Sequence, residues 1–418
     1  MYARYAERIK CSTISFLTKL KGATMVRKPH PSLFAPFNAP PLLHPKPGLG
    51  PYDMCWCESG KKFKWCHMHR EKEKLPAFGA QMHSLRAEMA KGYCSHPDAS
   101  DEFCGEKIIR AHTVQKRVGL AAIAENGHVI SVKNGVDDIE KNNGRIIPVS
   151  VGVNNASTFP GFCNHHDTSM FRSIEVGAPD FNAEVAFLLS FRALSYELFA
   201  KRAFVRSIEL QRELDKGKPI DAQILIQNNL RNNKIGAERA IVEMEALKLR
   251  YDEAFRDKRY DACKYYAISL SECLPVVSCG GFLPEFSFDG LPLQRLSRGD
   301  SAFEQITFNL TVMNGRSVVV IGWMEGGGGP AHDFAKSFER ILPNERADAA
   351  VRLAFAHLEN TYARPSWWEA LDSSAKEHAV RLMNTGFGYG RPEHRSNTLQ
   401  PFSQHYVSAN VTKELTNW

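Results

Sequence analysis

The chain has 418 residues, 43% of them hydrophobic, with 22 prolines, 10 cysteines and a net charge of +7. That composition can bury real cores, favours two or more domains, and contains no run of eighteen apolar residues, which excludes a membrane-spanning helix. Residues 1–118 carry 20 Lys and Arg against 10 Asp and Glu, leaving 33 against 36 for the remainder, so the positive excess sits in the N-terminal quarter.

Such asymmetry favours a polyanion, nucleic acid, as partner for that quarter, although a solvated basic surface accounts for the same count. No membrane partner is expected. Of the ten cysteines, seven fall within residues 11–163 and six of those have metal-type neighbours, which fits a reduced, cytoplasmic setting better than a disulfide framework. The first 28 residues are basic, and their apolar patch Ile14–Leu20 is too short and interrupted for a secretory signal; Met25 offers an alternative start. Pro29, Pro31, Pro36, Pro40, Pro41, Pro45, Pro47 and Pro51 forbid a helix, so residues 1–51 read as a basic, proline-rich tail.

Residues 55–67 read CWCESGKKFKWCH. Cys55, Cys57, Cys66 and His67, arranged around the turn-forming Ser59-Gly60 and a lysine-rich tip, have the types and spacing to close a tetrahedral zinc site. The stretch resembles the SEC-C motif, a small bacterial zinc hook, and residues 52–72 are assigned to it. Glu58 stands where that pattern carries glycine, which predicts a tight or strained turn. Residues 70–91 then read as a short amphipathic helix with the charged run Arg70–Lys74 at its start.

From Cys94 to about Glu175 short apolar runs alternate with glycines and asparagines, and a hairpin is predicted around Asn126-Gly127. Cys94 and Cys104 precede the run Ile108-Ile109-Arg110-Ala111-His112, and Phe162-Cys163-Asn164-His165-His166-Asp167 follows much later. This order resembles the HNH endonucleases, whose fold is a zinc-bearing treble clef. The resemblance implies a second zinc at Cys94, Cys104, Cys163 and His166, with His165 as an alternative to His166. It also implies His112 as general base, Asp167 as ligand of a hydrolytic Mg²⁺ or Mn²⁺, and Asn155 or Asn154 as the middle residue, although the family position falls at Thr158. Hydrolysis of a phosphodiester needs such a base and such a cation. The cysteine gap and the stretch from His112 to Cys163 are both wider than the family's. Residues 92–178 are assigned to this unit.

Asp180-Phe181-Asn182 opens a long helix, Ala183–Leu214, ended by Lys216-Gly217-Lys218-Pro219. Two more amphipathic helices are predicted, Asp221–Asn232 and Ala237–Arg256, and residues 180–260 read as an antiparallel helical scaffold. Within 262–418 an alternating strand, Ile306 to Val312, turns at Asn314-Gly315 and returns through Val318–Trp323. Gly326–Gly329 lacks a following Gly-Lys-Ser/Thr and reads as a connection rather than a phosphate loop. Helices are predicted near Glu345–Tyr362 and Ser366–Asn384. Cys263, Cys273 and Cys279 read as buried free thiols.

The expected fold class is α+β and multidomain: hook, treble clef, long-helix scaffold and C-terminal antiparallel strands with helices. Two functions fit. One is an HNH-type endonuclease cutting nucleic acid, with residues 180–418 as scaffold, sensor, oligomeriser or protein-binding surface. The other is a non-catalytic zinc adaptor. They part on whether His112 and Asp167 face an open metal position, or whether His112 is instead tied to a backbone carbonyl.

Overall fold

A computed structural model describes residues 41–105, 107–132, 142, 145–175, 180–295, 303–324, 328–384 and 404–418. Residues 1–40 of the tail and glycines 326 and 327 lie outside these. The described residues form two compact units, one of residues 41–91 with Lys201–Val242, the other of Gly92–Ala200 with Glu243–Trp418. The protein mixes helix and sheet, as its patterning predicted.

The larger unit is built on an eight-stranded antiparallel sheet. Its strands are β2 (His128–Ser131), β3 (Val149–Gly152), β5 (Cys263–Leu270), β6 (Val276–Phe282), β7 (Ile306–Met313), β8 (Arg316–Met324), β9 (Thr361–Ala363) and β10 (Val411–Thr416), in spatial order 10-5-8-7-6-9-2-3. The β7–β8 hairpin turns where expected: Asn314 and Gly315 take φ of 52° and 73°, the left-handed pair that a two-residue turn requires. Ile306, Phe308 and Leu310 on β7, with Val319, Ile321 and Trp323 on β8, bury one face against Phe334, Phe338, Leu353 and Phe355. Those partners belong to two helices, Pro330–Glu339 and Arg346–His357.

Alternation of this kind ordinarily marks a strand with one wet face. Here the polar face is buried too. Thr307 donates to Ser190 at 2.8 Å, and Thr311 donates to Gln115 at 2.7 Å. Thr307 and Thr311 are polar because they satisfy buried hydroxyl and amide partners, not because they meet water.

β2 and β3 come from the stretch read as a separate unit, yet β2 pairs with β9 through Ile130↔Ala363 and Ser131↔Tyr362. Ranges 92–178 and 262–418 therefore contribute strands to one sheet. A second, two-stranded sheet pairs β1 (Ile108–His112) with β4 (Thr158–Cys163), and helix α2 (Asn164–Glu175) follows β4 directly.

Helix α1 (Phe78–Met89) begins later than residues 70–91 suggested, because only a 3₁₀ turn, Arg70–Lys72, forms before Pro76. The long helix α3 runs Ala183–Gln211 and tightens into a 3₁₀ turn at Arg212–Asp215. The helix pair predicted next is a single 37-residue helix, α4, spanning Ile220–Arg256. One glycine, Gly236, costs about 1 kcal/mol and does not break a helix that lacks proline. Asn233 even ties back to Asn229 at 3.2 Å, one turn earlier. Near the C-terminus, the helix predicted to reach Tyr362 stops at His357, and Ser366–Asn384 divides into Pro365–Ala370 and Ser373–Asn384.

Candidate metal centres

In the smaller unit, the chain from Met54 to Lys62 folds back on itself, and Phe63–Trp65 forms a 3₁₀ turn that presents Cys66 and His67 to the two earlier cysteines. Cys55 Sγ lies 3.3 Å from His67 Nδ1, Cys57 Sγ 3.5 Å from Cys66 Sγ, and Cys66 Sγ 3.2 Å from His67 Nδ1. All four donor atoms lie within 4.8 Å of one another. A zinc tetrahedron with bonds of about 2.3 Å to sulfur and 2.0 Å to nitrogen has edges of roughly 3.5–3.8 Å, so the cluster has the size and chemistry of a zinc site. The expected strain at Glu58 is visible: it takes φ of 57° where glycine is at ease, beside Gly60 at 75°. Its carboxylate pairs with Arg231 at 3.2 Å.

The hook's own core is small: Trp56 packs its ring 4.5 Å from that of His67, and the cysteines have little beyond Leu43, Leu49, Phe63 and Ile224 around them. A bound metal would supply cohesion that so few apolar groups cannot.

Sequence reasoning missed the residue that orients His67. Asp215, fully buried at the end of α3, accepts from His67 Nε2 at 2.8 Å across 148 residues of sequence. Arg70 donates to its other oxygen, Oδ1, at 2.5 Å, and Gln227 donates at 2.6 Å to Oδ2, the oxygen that faces His67. With Nδ1 directed at the metal position, Nε2 carries the proton and gives it to the carboxylate, the arrangement that fixes a ligand histidine's tautomer and raises its basicity. Burial works against a charge on His67, yet Asp215 and the neighbouring thiols outweigh it and raise its pKa to about 10. Arg212 adds a tie to the Cys57 carbonyl at 3.1 Å. No local pattern marks Asp215; only the tertiary fold brings it to the histidine.

The second cluster lies in the larger unit. Cys163 ends β4, and one turn into α2 His166 turns back toward it: Cys163 Sγ and His166 Nδ1 are 3.2 Å apart. Cys94 and Cys104, in the loop before β1, lie 3.4 and 3.6 Å from the same nitrogen. These four donors also lie within 4.8 Å of one another. His166 is buried and is the one of the adjacent pair whose nitrogen joins the cluster, whereas His165 is exposed. His96 stacks on the His166 ring with centroids 3.9 Å apart. Both clusters have the donor set of a structural zinc site, four Cys or His ligands with none left open.

Of the three candidate catalytic residues, two are hydrogen-bonded elsewhere and Asp167 faces a buried arginine without a hydrogen bond at its Oδ1. His112 Nε2 meets the Val153 carbonyl at 3.2 Å, and burial lowers the ring's pKa, so it is neutral at pH 7. Asn155 accepts from Arg110 at 3.0 Å through its side-chain oxygen, and Thr158, directly opposite His112 in the β1–β4 register, accepts from the same guanidinium at 2.9 Å. Asp167 faces the guanidinium of Arg192 at 3.6 Å. Arg192 is completely buried, lies 3.9 Å above the Phe171 ring, and also pairs with Glu175 at 2.7 Å. Burial raises the pKa of Asp167, and Arg192 opposes that rise.

Comparison with known families matches residues 53–68 to the SEC-C motif. No family match falls on residues 94–175, where the likeness to HNH endonucleases was expected. No curated protein and no solved structure matches the chain. Among the described residues no helix is long and apolar enough to cross a membrane. Cys263 and Cys279 are buried free thiols, and Cys273 is half-buried.

Proposed function

We propose that this protein is a non-catalytic, zinc-stabilised binding protein in which both Cys/His clusters are structural and the SEC-C hook presents an interaction surface. The observation that carries this reading is the Asp167–Arg192 contact. A hydrolytic Mg²⁺ or Mn²⁺ held by Asp167 would sit beside a buried guanidinium, and two cations sharing one buried carboxylate repel each other strongly at low dielectric. The guanidinium, which Asp167 shares with the nearer Glu175, already occupies that side of the carboxylate. The β1–β4 pair with α2 is, on this reading, a treble clef held by its zinc, and the tie from His112 to Val153 pins the loop that follows β3.

The test is cleavage of single- and double-stranded DNA and RNA by the purified, zinc-loaded chain with added Mg²⁺ or Mn²⁺. The expected outcome is no cleavage above that of a matched His112→Ala preparation. Cleavage by wild type that falls about 10²–10⁴-fold in His112→Ala would overturn the reading in favour of an HNH-type nuclease, because a general base is worth that much.

A further inference from the structure

The hook carries a surface that its zinc site does not explain. Tyr52 and Trp65 are 62% and 64% exposed, unusual for rings of that size in so small a module. Two ammonium groups stand close to both rings: Lys62 Nζ lies 5.6 Å from the Tyr52 centroid and 5.7 Å from that of Trp65, and Lys64 Nζ lies 5.2 and 6.0 Å away. Neither lysine makes an ion pair among the described residues, whereas Lys61 beside them interacts electrostatically with Glu213. The surface thus combines two flat, accessible π-faces with two positive charges that have no acidic partner there.

We infer that this Tyr52–Trp65 face binds single-stranded nucleic acid, the bases stacking on the rings and the phosphates meeting Lys62 and Lys64. The inference rests on the reading of the hook as an interaction module. Each half of the chemistry is needed. An acidic peptide would use the lysines but leave two exposed rings without a purpose. A single strand supplies anions and planar groups at the same spacing, and every base has a face that can stack. A loosely placed exposed cation–π contact contributes only about 0.5–1 kcal/mol, so a base displaces it at little cost. Duplex fits poorly because its bases already stack on one another. The excess positive charge of residues 1–118 adds long-range attraction for the same polyanion.

The neighbouring cavity, about 230 Å³ and lined by Trp65, Arg70, Arg212 and Lys216, is not counted as a phosphate site. Its cations are already answered: Arg70 by Asp215, Arg212 by Glu209 at 3.2 Å, Lys216 by Glu213 at 2.6 Å, and Lys61 by the charge of Glu213. The charge without an acidic partner is that of Lys62 and Lys64.

The experiment is fluorescence anisotropy of a labelled 15-mer of dT and one of rU with the full-length, zinc-loaded chain. Trp65→Ala is expected to weaken binding about 5- to 100-fold, Trp65→Phe to keep most of it, and Lys62→Gln with Lys64→Gln to lower the salt slope by about 1.4. Trp65 is exposed, so zinc content should stay at the wild-type value in every variant, which separates lost contact from lost fold. No binding by wild type, binding indifferent to all these substitutions, or binding only to vesicles of anionic phospholipid or to poly-glutamate would each overturn the inference. Cleavage of the oligonucleotide would instead overturn the non-catalytic reading, so the two failures are distinct.

Discussion

Asp215 shows what a single side chain contributes here. Its carboxylate fixes the tautomer of His67 and collects Arg70 and Gln227, so the last turn of α3 is bonded into the hook's ligand shell. Asp215→Asn is expected to weaken zinc binding at the hook by about 10–100-fold, read by competition with a chromophoric chelator, while the Cys94 cluster keeps its affinity. Equal affinities in the variant and wild type would show that the carboxylate only packs. The four hook ligands were legible because their spacing is local and their chemistry narrow. Asp215 was not, because an aspartate near a helix end has many ordinary uses and its partner is 148 residues away. The same limit explains His112, Asn155 and Asp167. Their order along the chain suggested a catalytic set, but the order could not show the Val153 carbonyl at His112, Arg110 at Asn155 or Arg192 beside Asp167.

The long helix α4 is the element where local signals misled. Asn232, Asn233 and Gly236 form a polar, low-propensity stretch that reads as a break, yet the helix continues through it from Ile220 to Arg256. A continuous helix makes a clear demand: Gly236→Ala should raise stability by about 0.5–1 kcal/mol, since a Cβ there meets nothing within 4 Å. Denaturant unfolding of the variant measures it, and a loss of stability would restore the break. Strand β7 carries a different lesson. Its alternation located the strand and its turn correctly, but period alone cannot distinguish a wet polar face from one buried against Ser190 and Gln115. Glu58 ran the other way. A residue substituted for glycine in a known turn pattern predicted an unusual backbone angle, and the turn has one.

At the scale of the whole molecule, the ranges 92–178 and 262–418 looked like separate bodies because composition changes between them. The sheet joins them through β2 and β9, a pairing across more than two hundred residues that leaves no trace in local pattern. Both metal clusters were legible in the sequence, since each needs only four soft ligands in workable order. If the two clusters are independent structural zinc sites, native mass spectrometry of the zinc-loaded chain shows it most directly. Wild type should carry two zinc ions, Cys57→Ser and Cys104→Ser one each, and the double variant none. A wild-type chain with one zinc, or a Cys104→Ser chain that still holds two, would contradict it.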